Sequence, residues 1–74
     1  MEFIVVKYFR SRNVYLDGNL IGKTNQTLRV EEGTHLVDLG QPDNFTPASQ
    51  KIRVTGTTQI LPLEIEFQFK EVLP

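Results

Sequence analysis

Apolar and polar residues alternate with a period of two along much of the chain. Leu28 and Val30 share one face of a segment whose other face carries Thr27 and Arg29. Successive side chains of a β-strand point to opposite faces, so this pattern predicts half-buried strands. The same alternation recurs in three further segments, at residues 13–17, 51–55 and 61–69.

Turn-forming residues separate these apolar segments. Asp17-Gly18-Asn19 is suited to the positive φ angles of a tight hairpin. Pro62 predicts that the last long strand lies at a sheet edge or contains a bulge. Further turns are predicted at residues 22–25, 31–33 and 56–57. About seven short strands at this spacing predict an all-β fold, a small antiparallel β-sandwich that forms a single domain.

The size and charge of the chain narrow the classes of function. Its 74 residues suffice for one core and leave little interior volume for a deep catalytic pocket. Eight Lys and Arg residues against nine Asp and Glu residues give a formal charge of −1, which disfavours a general nucleic-acid surface. No stretch reaches the roughly 20 apolar residues of a membrane helix. We therefore expect no nucleic-acid partner and no membrane insertion.

The chemistry-bearing residues do not form a recognisable catalytic or metal-binding set. His35 is the one histidine and the chain has no cysteine, so a zinc site would need carboxylates or a second chain. Neither Ser11 nor Ser49 lies in the glycine-lined elbow of a nucleophilic serine. We predict a protein that is not an enzyme and has no cofactor. His35 is predicted to be structural, at the rim of the sandwich and hydrogen-bonded to a loop carbonyl.

Four short motifs follow one another in the order and spacing of a known family. They are Val14-Tyr15-Leu16-Asp17-Gly18, Gly22-Lys23-Thr24, Leu28-Arg29-Val30 and Glu32-Gly33-Thr34-His35-Leu36-Val37. On these residues the chain resembles the PEGA domain, over nearly its whole length. The resemblance implies a transthyretin-like or immunoglobulin-like sandwich and a non-catalytic module of prokaryotic cell-envelope or signalling proteins. The residues predicted to have structural roles are Asp17, Gly18, Gly22, Thr24, Gly33 and His35.

The chain departs from the family pattern at two turns. Phe9-Arg10-Ser11-Arg12 stands where the family has its name-giving signature. Asn25 stands where the family usually has proline. The apolar run at residues 3–6 is too short for a signal-peptide core. We therefore expect a cytoplasmic protein if the chain is complete, and a cell-envelope protein if it was cut from a longer one.

The first strand is apolar on both faces, which makes it the main candidate for binding. Either Ile4, Val6 and Tyr8 face the core or they face outward. A strand in a two-layer sandwich buries one face, so an apolar row is left outside in either register. That row is covered by the tail at residues 71–74 or forms an interface. The predicted interface residues are Phe3, Val5, Phe9 and Tyr15.

The expected function is a protein interaction or adhesion module. It would bind a protein partner, or a second copy as a weak homodimer, through this apolar face or through an open strand edge. The alternative from a different class is a carbohydrate-binding module, with Tyr8, Tyr15 and Phe45 as candidate platforms for sugar rings. The chain has no tryptophan, the usual sugar platform, which favours the protein partner.

Overall fold

The computed structural model describes residues 1–70, which form β-strands and loops without any helix. No helix that could cross a membrane therefore occurs in this range. The strands are β1 (Glu2–Lys7), β2 (Asn13–Leu16), β3 (Asn19–Lys23), β4 (Thr27–Val30), β5 (Gly33–Asp38), β6 (Phe45–Thr46), β7 (Gln50–Val54), β8 (Leu63–Glu66) and β9 (Gln68–Phe69). The all-β prediction is confirmed. The strands outnumber the predicted seven or so because the apolar segment at residues 61–69 is divided at Phe67 and β6 has only two residues.

The strands form two main sheets and one short ribbon. One sheet has the order β4-β1-β8, the other has the order β3-β2-β5-β7, and β6 pairs with β9. All of these pairs are antiparallel except β1–β8, which is parallel. Local turn signals predict hairpins, whereas a parallel pair requires a crossover. The alternation pattern therefore gave no indication that the first long strand and the last would pair in parallel.

The inward faces of the two sheets share one hydrophobic core. Leu28 and Val30 are buried in it while Thr27 and Arg29 are exposed, as the alternation predicts. The core contains Ile4, Val6, Tyr8, Val14, Leu16, Leu28, Val30, Val37, Leu39, Phe45, Val54, Ile65 and Phe67. Because both sheets contribute to this one cluster, the molecule is a two-layer β-sandwich.

The first strand adopts one of the two registers that its sequence allows. Ile4 and Val6 have no exposed surface, and Tyr8 beyond the strand end is also buried. Phe3 and Val5 are half-buried on the outer face of the sheet. The outward apolar row that the sequence predicts is therefore present, between Arg29 and Thr27 of β4 on one side and β8 on the other. The tail that was the alternative cover for this row lies outside the described residues.

The β2–β3 turn has the geometry that its sequence predicts. Asp17 and Gly18 have φ angles of 52° and 83°. Two successive positive φ angles define a type I′ turn, whose twist matches that of the flanking strands. The second position is glycine because a side chain there would meet the backbone in the left-handed region. This turn fixes the register of the β2–β3 hairpin.

The next turn lies further along the chain than its sequence suggests. Gly22 belongs to β3, and the turn is formed by Thr24 and Asn25. A Cβ atom on Gly22 would come within 2.6 Å of Leu28 Cδ2, so the glycine leaves space for a core side chain instead of forming the turn. Asn25 adopts a φ angle of 65° in its place.

Gly40 lies directly beneath the ring of Tyr15. Its φ angle is +69°, and a Cβ atom added to it would lie 2.5 Å from Tyr15 Cε2. Gly56 has the same φ angle of +69°, but nothing lies within 4 Å of its added Cβ. Alanine at Gly56 therefore measures the cost of the backbone conformation alone. Alanine at Gly40 adds the cost of the clash with the Tyr15 ring.

Gly56→Ala is expected to destabilise the fold by about 1–2 kcal/mol, because alanine is strained at positive φ. Gly40→Ala is expected to cost about 1–3 kcal/mol more, because the methyl group displaces the Tyr15 ring. Urea unfolding followed by circular dichroism measures both values. Equal costs at the two positions would show that the ring does not constrain Gly40.

Candidate functional site

An open groove lined by aromatic side chains lies where β1 ends and β9 begins. Its volume is about 550 Å³. Its walls are formed by Val5, Lys7, Tyr8, Phe9, Asn25, Glu66, Phe67, Gln68 and Phe69, and we call it the aromatic groove. Tyr8 and Phe67 are core residues, so the floor of the groove is the edge of the hydrophobic core.

Two phenylalanine rings stand exposed at the mouth of the aromatic groove. Phe9 is 61% exposed and Phe69 is 51% exposed. Their ring centroids are 5.4 Å apart in an edge-to-face arrangement, and Phe9 also contacts Tyr8 at 5.0 Å. This geometry is favourable for aromatic pairs, so the rings support one another without entering the core. The arrangement follows from the β1 register, in which Tyr8 turns inward and Phe9 outward.

Cationic side chains surround the aromatic groove. Lys7 Nζ lies 3.1 Å from Glu64 Oε1, across the sheet. The Arg10 guanidinium lies over the Phe9 ring, 4.4 Å from its centroid. Lys70 follows Phe69 directly and is exposed. Together with Glu66 on the groove wall, these residues give the rim an excess of positive charge.

The four predicted interface residues do not form one surface. Val5 and Phe9 line the aromatic groove, and Phe3 lies further along the same outer face of β1. Tyr15 belongs to β2 in the other sheet, where alternation turns it to the opposite outer face. Tyr15 therefore does not adjoin the first-strand row. Phe69, which is not among the four predicted interface residues, also lines the groove.

Thr24 and Asn25 hold the chain end that carries Phe9. The Asn25 N–H donates to Val6 O at 2.7 Å, and Asn25 Oδ1 accepts from the Tyr8 N–H at 3.1 Å. Thr24, a buried polar residue, donates its hydroxyl to Arg10 O at 2.8 Å. Proline at position 25 would remove the first of these bonds and exclude the observed φ of 65°. The departure from the family pattern at this turn is therefore a change in how β1 is held.

Arg12 holds the loop between β5 and β6. Its guanidinium donates to Asn44 Oδ1 at 2.6 Å and to three backbone carbonyls, those of Leu39, Gly40 and Pro42, at 2.8–3.3 Å. The group also lies over the Phe45 ring, 5.2 Å from the centroid. Lys7 and Arg10, in contrast, contact the aromatic groove and the Phe9 ring. No sequence signal identified the role of Arg12, because carbonyl partners have no residue preference.

His35 links three segments at the end of the four-stranded sheet. Its Nδ1 lies 2.6 Å from Asp17 Oδ2 and its Nε2 lies 2.8 Å from Glu31 O. Both partners are acceptors, so the ring must carry two protons to make both bonds. The Asp17 hydrogen bond and then the Glu31 carbonyl raise the pKa of His35. The His35 ring and then the Leu36 N–H lower the pKa of Asp17.

The candidate sugar-binding and metal-binding residues lie outside the aromatic groove or are buried in its floor. Tyr8 and Phe45 are buried, so neither offers an exposed face to a sugar ring. Tyr15 is half-buried over Gly40. Gly33 begins β5 with a φ of 134°. Within residues 1–70, no three His, Asp or Glu side chains gather in a way that could hold a metal ion.

His35→Ala is expected to lower the free energy of unfolding by about 1–3 kcal/mol in mildly acidic solution, through lost packing and hydrogen bonds. The His35 pKa is raised on folding. The charge-dependent part of the stabilisation is therefore fully present below the unfolded pKa of about 6.5 and lost as pH rises through the folded pKa. The Asp17 pKa is lowered, so its contribution is present above the ordinary Asp pKa and lost as pH falls through the folded value.

Urea unfolding of the wild type and the His35→Ala variant, from acidic to alkaline pH, measures the difference between their free energies of unfolding. The gap between them should be widest between the ordinary pKa values of Asp and His, about 4 and 6.5. A gap that widens as the solution becomes alkaline would contradict a doubly protonated ring.

Comparison with known proteins identifies the family that the four motifs indicate. A family model described as the PEGA domain matches residues 11–68, which include β2 to β8. β1 precedes the matched range, although it is central to its sheet. No curated protein and no solved structure matches the chain significantly. Because the family model covers most of the sequence, the chain belongs to the PEGA domain family.

Proposed function

We propose that the chain is a non-catalytic interaction module that binds an apolar segment of a protein partner in the aromatic groove. The observation that carries the proposal is the exposed edge-to-face pair of Phe9 and Phe69 above a floor of core residues. Large exposed aromatic side chains grouped in a concavity mark interaction sites more often than isolated ones do. A prokaryotic envelope or signalling protein is the proposed setting.

The energetics of the aromatic groove fit a modest affinity. Fully burying a phenylalanine side chain contributes roughly 1.5–3 kcal/mol. Phe9 and Phe69 are 61% and 51% exposed, so only part of this gain remains for binding. The loss of translational and rotational freedom on association offsets several kcal/mol of this gain. Such a site depends on a few aromatic anchors, as interface hot spots do.

The charge of the rim selects the partner. Lys7 lines the groove, Arg10 stacks on Phe9, and Lys70 adjoins Phe69, whereas Glu66 is the one acidic residue among the lining side chains. A segment with apolar anchors flanked by acidic residues is therefore complementary in both shape and charge. Opposite charges at the rim mainly raise the association rate and the specificity.

A carbohydrate ligand is less well supported by the same geometry. Sugar rings stack on the flat face of an aromatic side chain, and the Arg10 guanidinium already covers one face of Phe9 at 4.4 Å. The amides of Gln68 and Asn25 line the groove, but Asn25 Oδ1 is used by the Tyr8 N–H. A non-catalytic role for His35 is supported by its contacts, since both of its ring nitrogens are engaged in bonds within the fold.

The proposal is tested by titrating ¹⁵N-labelled protein with a peptide that carries two leucines between aspartates. Amide shifts are expected at Val5, Phe9 and Phe69, and the same peptide with lysines in place of aspartates should bind several-fold more weakly. The variant Phe9→Lys should lose these shifts while keeping a β-type circular dichroism spectrum. Ile60→Lys is the matched control, because Ile60 is 88% exposed and outside the groove.

Three further outcomes decide between the alternatives. Shifts in the groove with oligosaccharides of glucose or N-acetylglucosamine, and none with the peptide, would replace the protein partner by a carbohydrate. Tighter peptide binding after removal of residues 72–74 would show that the chain's own end competes for the groove. The absence of amide shifts at about 1 mM peptide would overturn the proposal. It would mean that the binding free energy is weaker than about 4 kcal/mol.

A further inference from the structure

Two adjacent apolar side chains stand almost fully exposed on the loop that precedes β8. Ile60 is 88% exposed and Leu61 is 76% exposed, and we call this pair the Ile-Leu tip. No other large apolar side chain within residues 1–70 is more than 66% exposed. Single exposed apolar residues are common at protein surfaces, whereas adjacent ones of this size mark contact sites.

Hydrogen bonds close the loop that carries the Ile-Leu tip. The Thr58 N–H donates to Leu61 O at 3.2 Å, and the Leu61 N–H donates to Thr58 Oγ1 at 2.9 Å. At the base of the loop, the N–H and the hydroxyl of Thr57 donate to Glu2 Oε1 at 2.8 and 2.7 Å. Thr57 Oγ1 also accepts from the Phe3 N–H at 2.8 Å. A loop held in this way loses little conformational freedom when its tip is bound.

The Ile-Leu tip and the aromatic groove lie at opposite ends of β1. The loop is bonded to Phe3 near the start of this strand, whereas Lys7 at its end lines the groove. β8 runs parallel to β1, so the tip precedes β8 and Phe67 of the groove follows it. A strand of six residues spans roughly 20 Å. The tip of one chain therefore cannot enter the groove of the same chain.

Carboxylates lie against the loop that carries the Ile-Leu tip. Glu2 binds Thr57 as described, and Glu32 Oε2 accepts from the Thr55 hydroxyl at 3.1 Å. Glu31 precedes Glu32 at the same end of the sandwich and is also exposed. The apolar pair is thus accompanied by acidic side chains that the fold holds in place.

The positive charges at this end of the sandwich belong to strands. Arg29 lies in β4, where its Nε donates to Met1 Sδ at 2.7 Å, and Arg53 lies in β7 opposite Thr34. The rim of the aromatic groove, in contrast, has an excess of cations. The loop and the groove are therefore complementary in charge as well as in apolar character.

We propose that the Ile-Leu tip of one copy binds in the aromatic groove of a second copy, against Phe9 and Phe69. This inference rests on the proposed function and names the partner, which is the chain itself. The tip supplies the apolar residues with acidic neighbours for which the groove is suited. The contact joins two different surfaces, so each bound copy still offers a tip or a groove to another copy. Such a heterologous contact builds a ring or a filament.

The charges disfavour the symmetric alternatives. A tip-to-tip contact would bring Glu2 and Glu32 of two copies together, and a groove-to-groove contact would oppose Lys7 and Arg10 of two copies. The contact between tip and groove is the one that joins opposite charges. It uses no sheet edge, so the pairing of β6 with β9 is left intact.

Two variants, each lacking one half of the contact, test the proposal by sedimentation equilibrium. The tip variant carries Ile60→Lys and Leu61→Lys, and the groove variant carries Phe9→Lys. The wild type should associate beyond the dimer as its concentration rises, whereas each variant alone should bind itself at least about tenfold more weakly. An equimolar mixture should associate and stop at two copies, because it contains one intact tip and one intact groove per pair.

Controls separate the contact from general effects of charge or misfolding. Leu20→Lys changes an exposed residue of β3 outside both surfaces, so this variant should associate like the wild type. Circular dichroism checks that every variant keeps the β-sandwich. Adding unlabelled groove variant to ¹⁵N-labelled tip variant should shift the amides of Val5 and Phe69. A protein that carries all three substitutions should cause no such shifts.

The peptide with two leucines between aspartates distinguishes this inference from the proposed function. A wild type that is monomeric at about 1 mM, while the tip variant binds the peptide, would overturn self-association and leave the proposed function standing. Association that persists in both variants alone, or a mixture of folded variants that fails to associate, would also overturn it. Association of the mixture without peptide binding would support it and restrict the groove to a second copy. Neither association nor peptide binding would overturn both.

Discussion

The burial of one face of β1 is the constraint on which the rest of the structure depends. Ile4 and Val6 have no exposed surface, and β1 pairs with a strand on each side. A strand in a two-layer sandwich has only one buried face, so these two residues force Phe3, Val5 and Phe9 outward. The apolar row that remains outside is the direct consequence of a first strand that is apolar at every position from Phe3 to Val6.

Polar contacts turn that row into a defined surface. Asn25 binds the backbone of Val6 and Tyr8, and this fixes the direction in which the chain leaves β1. Phe9 thereby contacts Phe69, which lies at the end of β9. Arg12 holds the loop beside Phe45 in the same way. The surface arises from core burial on one side and backbone hydrogen bonds on the other, with each reinforcing the geometry of the groove.

The sequence predicted the features that depend on neighbouring residues. Alternation identified the buried faces of β2 and β4, and the Asp17-Gly18 pair identified a hairpin, because strand period and turn geometry are local. The parallel β1–β8 pair, the position of Tyr15 in the other layer and the carbonyl partners of Arg12 depend on contacts between distant segments. The two-residue alternation shows whether a side chain points inward or outward. It does not show which of the two sheets the residue belongs to. Only Val5 and Phe9 of the predicted interface therefore line the aromatic groove.

Thiol labelling at two adjacent positions tests the β1 register most directly. The chain has no cysteine, so Val5→Cys and Val6→Cys each introduce a single reactive group of similar size. A thiol at position 5 is expected to react in the folded state, whereas a thiol at position 6 is expected to react only through unfolding, many-fold more slowly. Comparable rates at both positions, or faster labelling at position 6, would contradict the register and with it the origin of the exposed aromatic surface.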